Sequence, residues 1–326
     1  MSDRIDHFLK TRQRGVTLVE LMISLALGLL VVAAATALLL STKAGYSTQD
    51  ESSHIQDTGN FAAESISRAL RQAAYVDWRQ DDSPIFSSAA ATPNVVGYDA
   101  SRVTGDQTDT PRLTPPLTDG VVNGSDVLAV LFFGSGTGKN GDGTILDCGG
   151  MGIPAAASQA VADEARGMSI FYVAKSGSGE PELYCRWHGE TKWESQSIAR
   201  GIESFQVLYG VDTDGDSLPN RFVTATAIRA MDDALGLQGA AAAEKSSWRK
   251  VVAVKIALLV RGSQPARSDT MTAVYDLFGK EYGDAYSTTD VGTRVTESSL
   301  SQSIRNRIRK VFTTTIQLRN QSAGGV

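Results

Sequence analysis

Histidine is scarce in this chain: His7, His54 and His188 are the three in 326 residues. With so few imidazoles and no nucleophile-elbow pattern, no Ser/His/Asp or Cys/His set can be argued, so an enzyme is not expected. Cysteine stops at two, Cys148 and Cys185, and proline is missing from Ser41 to Val76. Charge is nearly missing from Val16 to Leu40, where Glu20 is the one ionisable side chain among 25 residues. The net charge of −5 gives no electrostatic reason to expect nucleic acid binding. The dense basic cluster of Arg305, Arg307, Arg309 and Lys310 is interleaved with Ile304, Ile308 and Val311, which reads as a solvated face of a core element.

What is present begins with a basic leader. Met1 to Gly15 holds Arg4, Lys10, Arg12 and Arg14 against Asp3 and Asp6, so it carries +2 and the remainder −7. The apolar run that follows is, as a helix, about 38 Å long, enough to cross a bilayer with some tilt. A carboxylate inside such a run costs about 2.5–3.5 kcal/mol on insertion scales, so Glu20 is a functional candidate. An ordinary secretory signal cut after Ala35-Thr36-Ala37 does not account for an acid within the run, nor for a run reaching Leu40. A plain anchor explains the length and not the acid. By the positive-inside rule the N-terminus is cytoplasmic and everything after Leu40 is translocated. The stretch Arg14-Gly15-Val16-Thr17-Leu18-Val19-Glu20 resembles the processing site of type IV prepilins. That resemblance implies cleavage by prepilin peptidase between Gly15 and Val16, with Glu20 fifth in the mature chain, where its carboxylate would dock on the Val16 amine of a neighbouring subunit. Major pilins usually carry Phe where Val16 stands, which favours a minor component and leaves methylation of the new N-terminus expected.

Both cysteines lie in the translocated part, where an even pair most simply forms a disulfide. Closing the Cys148–Cys185 loop is worth about 4 kcal/mol in the chain-entropy model. The rival, metal binding through Cys185-x-x-His188, lacks a second ligand pair of matching spacing.

Beyond the apolar run, Ile55, Ala62, Ile66, Ala69 and Ala73 recur at intervals of seven, four, three and four, with Leu70 widening the stripe. This predicts that the helix continues to about Val76, weakened near Gly45 and Gly59. Asp81–Asn123 reads as long loops with room for one short strand. Strand-length apolar runs follow at Asp126–Phe133, Ser169–Ala174, Glu182–Trp187, Ile202–Val211, Arg221–Ile228, Val251–Val260 and Val311–Leu318. Ala155–Arg166 and Met231–Lys245 read as helical insertions. One long helix followed by strands is an α+β pattern, with the helix laid on an antiparallel sheet.

Gly124-Ser125-Asp126-Val127-Leu128, the run Gly201 to Asp212 and the tail Val311 to Asn320 are similar to the PilW family of minor pilins. The resemblance implies a type IV pilin-like fold. Residues 1–15 would be the leader, 16–40 the membrane-spanning half of the helix, 41–76 its amphipathic half, and 77–326 a periplasmic β-rich domain. It implies a subunit that joins other minor pilins and the major pilin in a priming or tip complex of a type IV pilus, often beneath a large tip adhesin. The location would be the inner membrane before assembly and the fibre afterwards. A minor pseudopilin of a type II secretion system shares this architecture, and a surface binding or adhesion module is the alternative of another class.

The best ligand candidate is Asp212-Thr213-Asp214-Gly215-Asp216-Ser217-Leu218-Pro219-Asn220. Asp212, Asp214, Asp216, Asn220 and the Leu218 carbonyl fall at positions from which a tight loop offers oxygens to Ca²⁺. Ser217 replaces the turn glycine of an EF-hand and Val223 its closing Glu, so a calcium loop of another kind competes with a simple Asp-Gly turn. Gly134-Ser135-Gly136-Thr137-Gly138-Lys139 follows a strand but fails as a phosphate loop, because Phe133 holds the first glycine position and Asn140 replaces Ser/Thr.

Overall fold

The computed structural model describes residues 15–73, 75, 88, 91–103, 120–189, 191–267 and 272–318. The chain forms two compact units, residues 1–50 and 51–326. Helix α1 (Leu18–Gln72) runs unbroken through both. In the first unit its apolar side chains from Leu18 to Leu40 are exposed, and the helix is long and apolar enough to cross a membrane. α1 ends at Gln72, a few residues before the expected Val76, which lies outside the described residues.

The second unit is built on two antiparallel sheets. The first has the order β1 (Val95–Tyr98), β2 (Val127–Phe132), β3 (Gly167–Lys175), β4 (Pro181–His188), β5 (Trp193–Arg200). The second sheet contains β6 (Ile202–Val211), β7 (Arg221–Val223), β8 (Val251–Pro265) and β11 (Arg307–Gln317), in the order β11-β8-β6-β7. The helices α2 (Ala225–Ala234) and α3 (Gly239–Glu244) come between β7 and β8. A small pair, β9 (Val274–Asp276) and β10 (Arg294–Thr296), brackets α4 (Lys280–Tyr286).

The α1 stripe is buried as its spacing predicts: Ile55, Ala62, Ile66, Ala69, Leu70 and Ala73 join one core with the inner faces of both sheets. Phe205, Val207 and Tyr209 on β6 and Val254, Ile256 and Leu258 on β8 supply the opposite side. At about 1.5–3 kcal/mol per fully buried large side chain, this stripe is what holds the helix on the sheet. Gly59 is not a weak point. A Cβ there would overlap the Phe312 ring of β11, so glycine permits the close approach of helix and strand.

Several expectations need correction. Arg221–Ile228 is not one strand: β7 stops at Val223, and Thr224 caps α2 by accepting from the Ala227 amide at 3.2 Å. Asp99 reinforces that start, accepting from the amides of Ala225 at 3.0 Å and Thr226 at 2.7 Å. Ala155–Arg166 holds only a short 3₁₀ turn at Gln159–Val161. The Met231–Lys245 insertion is helical but begins earlier, at Ala225. The basic cluster is no uniform solvated face either, for Arg309 is buried between Glu203 and Glu297.

Candidate functional site

The start of α1 is where the sequence placed the chemistry. Val16 is exposed, and a Cβ on Gly15 would meet nothing within 4 Å. Within the described residues, then, packing does not require glycine at position 15. Glu20, the acid of the apolar run, has a local role at the helix start. The Glu20 amide donates to Thr17 Oγ1 at 3.3 Å, and the Thr17 amide donates to Glu20 Oε2 at 3.4 Å. This reciprocal pair is a capping box, which satisfies two of the donors a helix N-terminus leaves unpaired. Its signature, Thr17-x-x-Glu20 ahead of an apolar run, is readable in the sequence.

The Asp212–Asn220 segment forms an exposed turn between β6 and β7. Asp212, Asp214 and Asp216 each offer a carboxylate oxygen, all within 4.8 Å of one another, so these three could share a cation. Asp212 is held below the usual aspartate range by the amide of Gly215, then by those of Ser217 and Asp214. Ser217 adopts φ 64°, the left-handed conformation that an EF-hand obtains from glycine at the same position. Asn220 is brought to the loop but turned inward. Its Oδ1 accepts from the amide and hydroxyl of Thr213 at 2.6 and 2.9 Å, and its Nδ2 donates to Asp214. The Leu218 amide donates to Asp216 at 2.8 Å, and the Leu218 side chain is exposed.

Cys148 and Cys185 are joined in a disulfide, with Cα atoms 6.0 Å apart, tying the loop before β3 to the buried centre of β4. His188, the proposed partner in the rival metal reading, lies edge-on to Trp193 at 5.3 Å. The Gly134–Lys139 segment folds back on itself, with the amide of Asp142 donating to Ser135 O and that of Ser135 to Ile153 O. No helix follows it among the described residues before the 3₁₀ turn at Gln159, so it has no helix N-terminus to hold a phosphate.

One further group was not legible beforehand. Asp126, at the entry to β2, is buried and accepts from the amides of Ala100 at 2.9 Å and Val207 at 2.8 Å. Burial, and then the nearby Asp99, push its carboxyl well above the usual range. Asp290 shares the neighbourhood, accepts from the Tyr282 hydroxyl at 2.8 Å and is pushed up to about 6, first by burial. These carboxylates sit where the two sheets, α2 and the β9–β10 pair are tied together.

Comparison with known proteins bears on both ends of the chain. Residues 170–320, from within β3 to just past β11, match the family of type IV pilus-assembly protein W. Residues 10–36 match the prokaryotic N-terminal methylation motif. No curated protein matches the sequence. Among solved structures, a type IV-like pilin from Thermus thermophilus aligns over 82% of this chain and 97% of that one, with 13% identity and a TM-score of 0.34. The methylation motif over the Gly15–Glu20 helix start and the pilus-assembly match over residues 170–320 together support a type IV pilus minor pilin similar to the PilW family.

Proposed function

We propose that the chain is a minor pilin, cut after Gly15 by prepilin peptidase, that helps to initiate a type IV pilus with other minor pilins and the major pilin. The family is one of structural subunits, a non-enzymatic kind. The observation that carries the reading is a single carboxylate, Glu20, at the start of an exposed apolar helix, inside the residues that match the methylation motif. Cleavage creates an amine at Val16, a cation in hydrocarbon. A neighbour's Glu20 neutralises it, so two costly charges become one pair and docking favours one axial register. Oε2 of Glu20 is engaged by its own Thr17, and Oε1 has no hydrogen bond among the described residues, which leaves it for that amine. Before assembly the protein sits in the inner membrane with its β-rich domain in the periplasm, and afterwards in the fibre.

Glu20→Ala and Glu20→Gln test this in cells. The processed protein, checked by mass spectrometry of its N-terminus, should accumulate in the membrane while fibre counts fall. An amide bonds the amine but does not neutralise it, so Gln should be nearly as poor as Ala. Normal piliation with Glu20→Ala, alongside loss of pili on deletion of the protein, would sink the charge-docking mechanism. A mature chain beginning after Ala37 would return the leader to an ordinary signal peptide.

A further inference from the structure

A line of alternating charges crosses the outer face of the second sheet and ends at the surface on an unsatisfied arginine. Arg267 donates to Glu297, and Glu297 lies 3.5 Å from Arg309. Arg309 in turn grips Glu203 through Nε at 2.6 Å and Nη2 at 3.1 Å. Glu203 is also 3.2 Å from Arg261, and Arg261 donates to Glu180. The line closes with Arg307, 3.8 Å from that same Glu180. Four guanidinium groups thus alternate with three carboxylates, and both ends are cationic.

The Arg307 end is the deficient one. Its side chain is only 19% exposed, yet its guanidinium makes no hydrogen bond among the described residues, and Nε is buried without an acceptor. Arg261, buried beside it, likewise has an Nε without an acceptor. Burial, and then repulsion from Arg307 and Arg309, pull Arg261 down to about 10. A buried donor left unpaired costs about 1–3 kcal/mol, more when charged. Glu180, 43% exposed, is held by Arg261 and stands 3.8 Å from Arg307, an ion pair without a hydrogen bond.

We propose that the corner formed by Arg307, Arg261 and Glu180 is a docking point for a carboxylate, supplied by an acidic side chain of a neighbouring protein subunit. Arginine suits this role because its planar fork takes a carboxylate by two parallel bonds. The corner lies where the start of β11 meets the end of β8 and the β3–β4 turn, far along the chain from the α1 start, so it would give an assembling subunit a second, polar contact. The ligand chemistry follows from the arginines; its source in a neighbouring subunit rests on the pilin reading above.

The test uses the full chain in neutral detergent, with thermal unfolding followed in sodium chloride, sodium acetate and a tetraglutamate peptide at equal ionic strength. Both carboxylate probes should raise the midpoint saturably above the chloride value. Arg307→Gln should abolish the response, and Arg307→Lys should retain part of it. Glu180→Gln should saturate at a several-fold lower probe concentration, because a competing internal carboxylate has gone; a merely structural Glu180 would not do this. No response in the parent protein, an equal response in Arg307→Gln, or no tighter response in Glu180→Gln overturns the proposal. A response to acetate without one to the peptide assigns the corner to a free anion and overturns the protein source. None of these results touches the Glu20 experiment, which is read from fibres.

Discussion

Replacing Asp290 by Asn should make this protein more stable at neutral pH. Asp290 is 5% exposed, bonded to Tyr282 and faced by Asp99 and Asp126 across the joint between the sheets. Its folded carboxyl titrates near 6, whereas an unfolded aspartate titrates near 3.9. Between about pH 4 and 6 the folded chain therefore holds more protons than the unfolded one, and stability falls as pH rises through that window. At pH 7 the full cost is present, about 3 kcal/mol for that displacement. Asn keeps an oxygen for the Tyr282 hydroxyl and removes the charge. The expected gain at pH 7 is up to about 3 kcal/mol, fading to nothing near pH 4. Urea unfolding of the detergent-solubilised chain, followed by tryptophan fluorescence from pH 4 to 8, measures it. The difference between variant and parent is the quantity to read, because Asp212 and Asp284, held low by hydrogen bonds, titrate with the opposite sign. A difference that stays flat with pH, or a variant weaker at pH 7 than at pH 4 relative to the parent, would refute the reasoning.

Glu203→Ala should cost about 3–5 kcal/mol in the same unfolding assay, because it removes the buried carboxylate that Arg309 and Arg261 share, leaving Arg309 with Glu297 and Arg261 with Glu180 as remaining partners. A cost under 1 kcal/mol would show that the buried charges relax to other partners. Reducing the Cys148–Cys185 disulfide, or replacing both cysteines by Ser, should lower stability by about 2–4 kcal/mol, and thiol labelling of the unreduced protein should modify neither cysteine. The Asp212, Asp214 and Asp216 carboxylates should take calcium at about 10⁻⁴–10⁻³ M, with Asp214→Ala abolishing the heat of binding in calorimetry. If millimolar calcium changes neither heat nor melting temperature, the segment is a turn and nothing more.

The elements that were legible are those whose own residues decide them. The Ile55–Ala73 stripe announces a helix because one face alone is buried, and β6 was delimited at both ends because it is buried on both faces. β5 was missed because it is an edge strand of mostly exposed polar residues, and its conformation is dictated by pairing with β4. The first turn of α2, Ala225–Ile228, reads as strand in the sequence because part of its start comes from Asp99, more than a hundred positions earlier. Arg309 and Glu203 are likewise far apart, 106 positions, so the apparent surface cluster concealed a buried ion pair. Motifs confined to a few residues fared better: the Gly15–Glu20 start and the aspartate loop were both found. The capping role of Glu20 is written in the same few residues, as Thr17-x-x-Glu20, beside the docking role proposed for it.

That double duty has a bearing on the timing of maturation. Thr17 and Glu20 close the first turn of α1 using only atoms that lie after Gly15. A cut between Gly15 and Val16, as proposed above, leaves every atom of that cap in place. The proposed proteolysis would add a free amine at Val16, one position before the cap residue Thr17. The subunit could wait in the membrane, already folded, until that amine finds a partner.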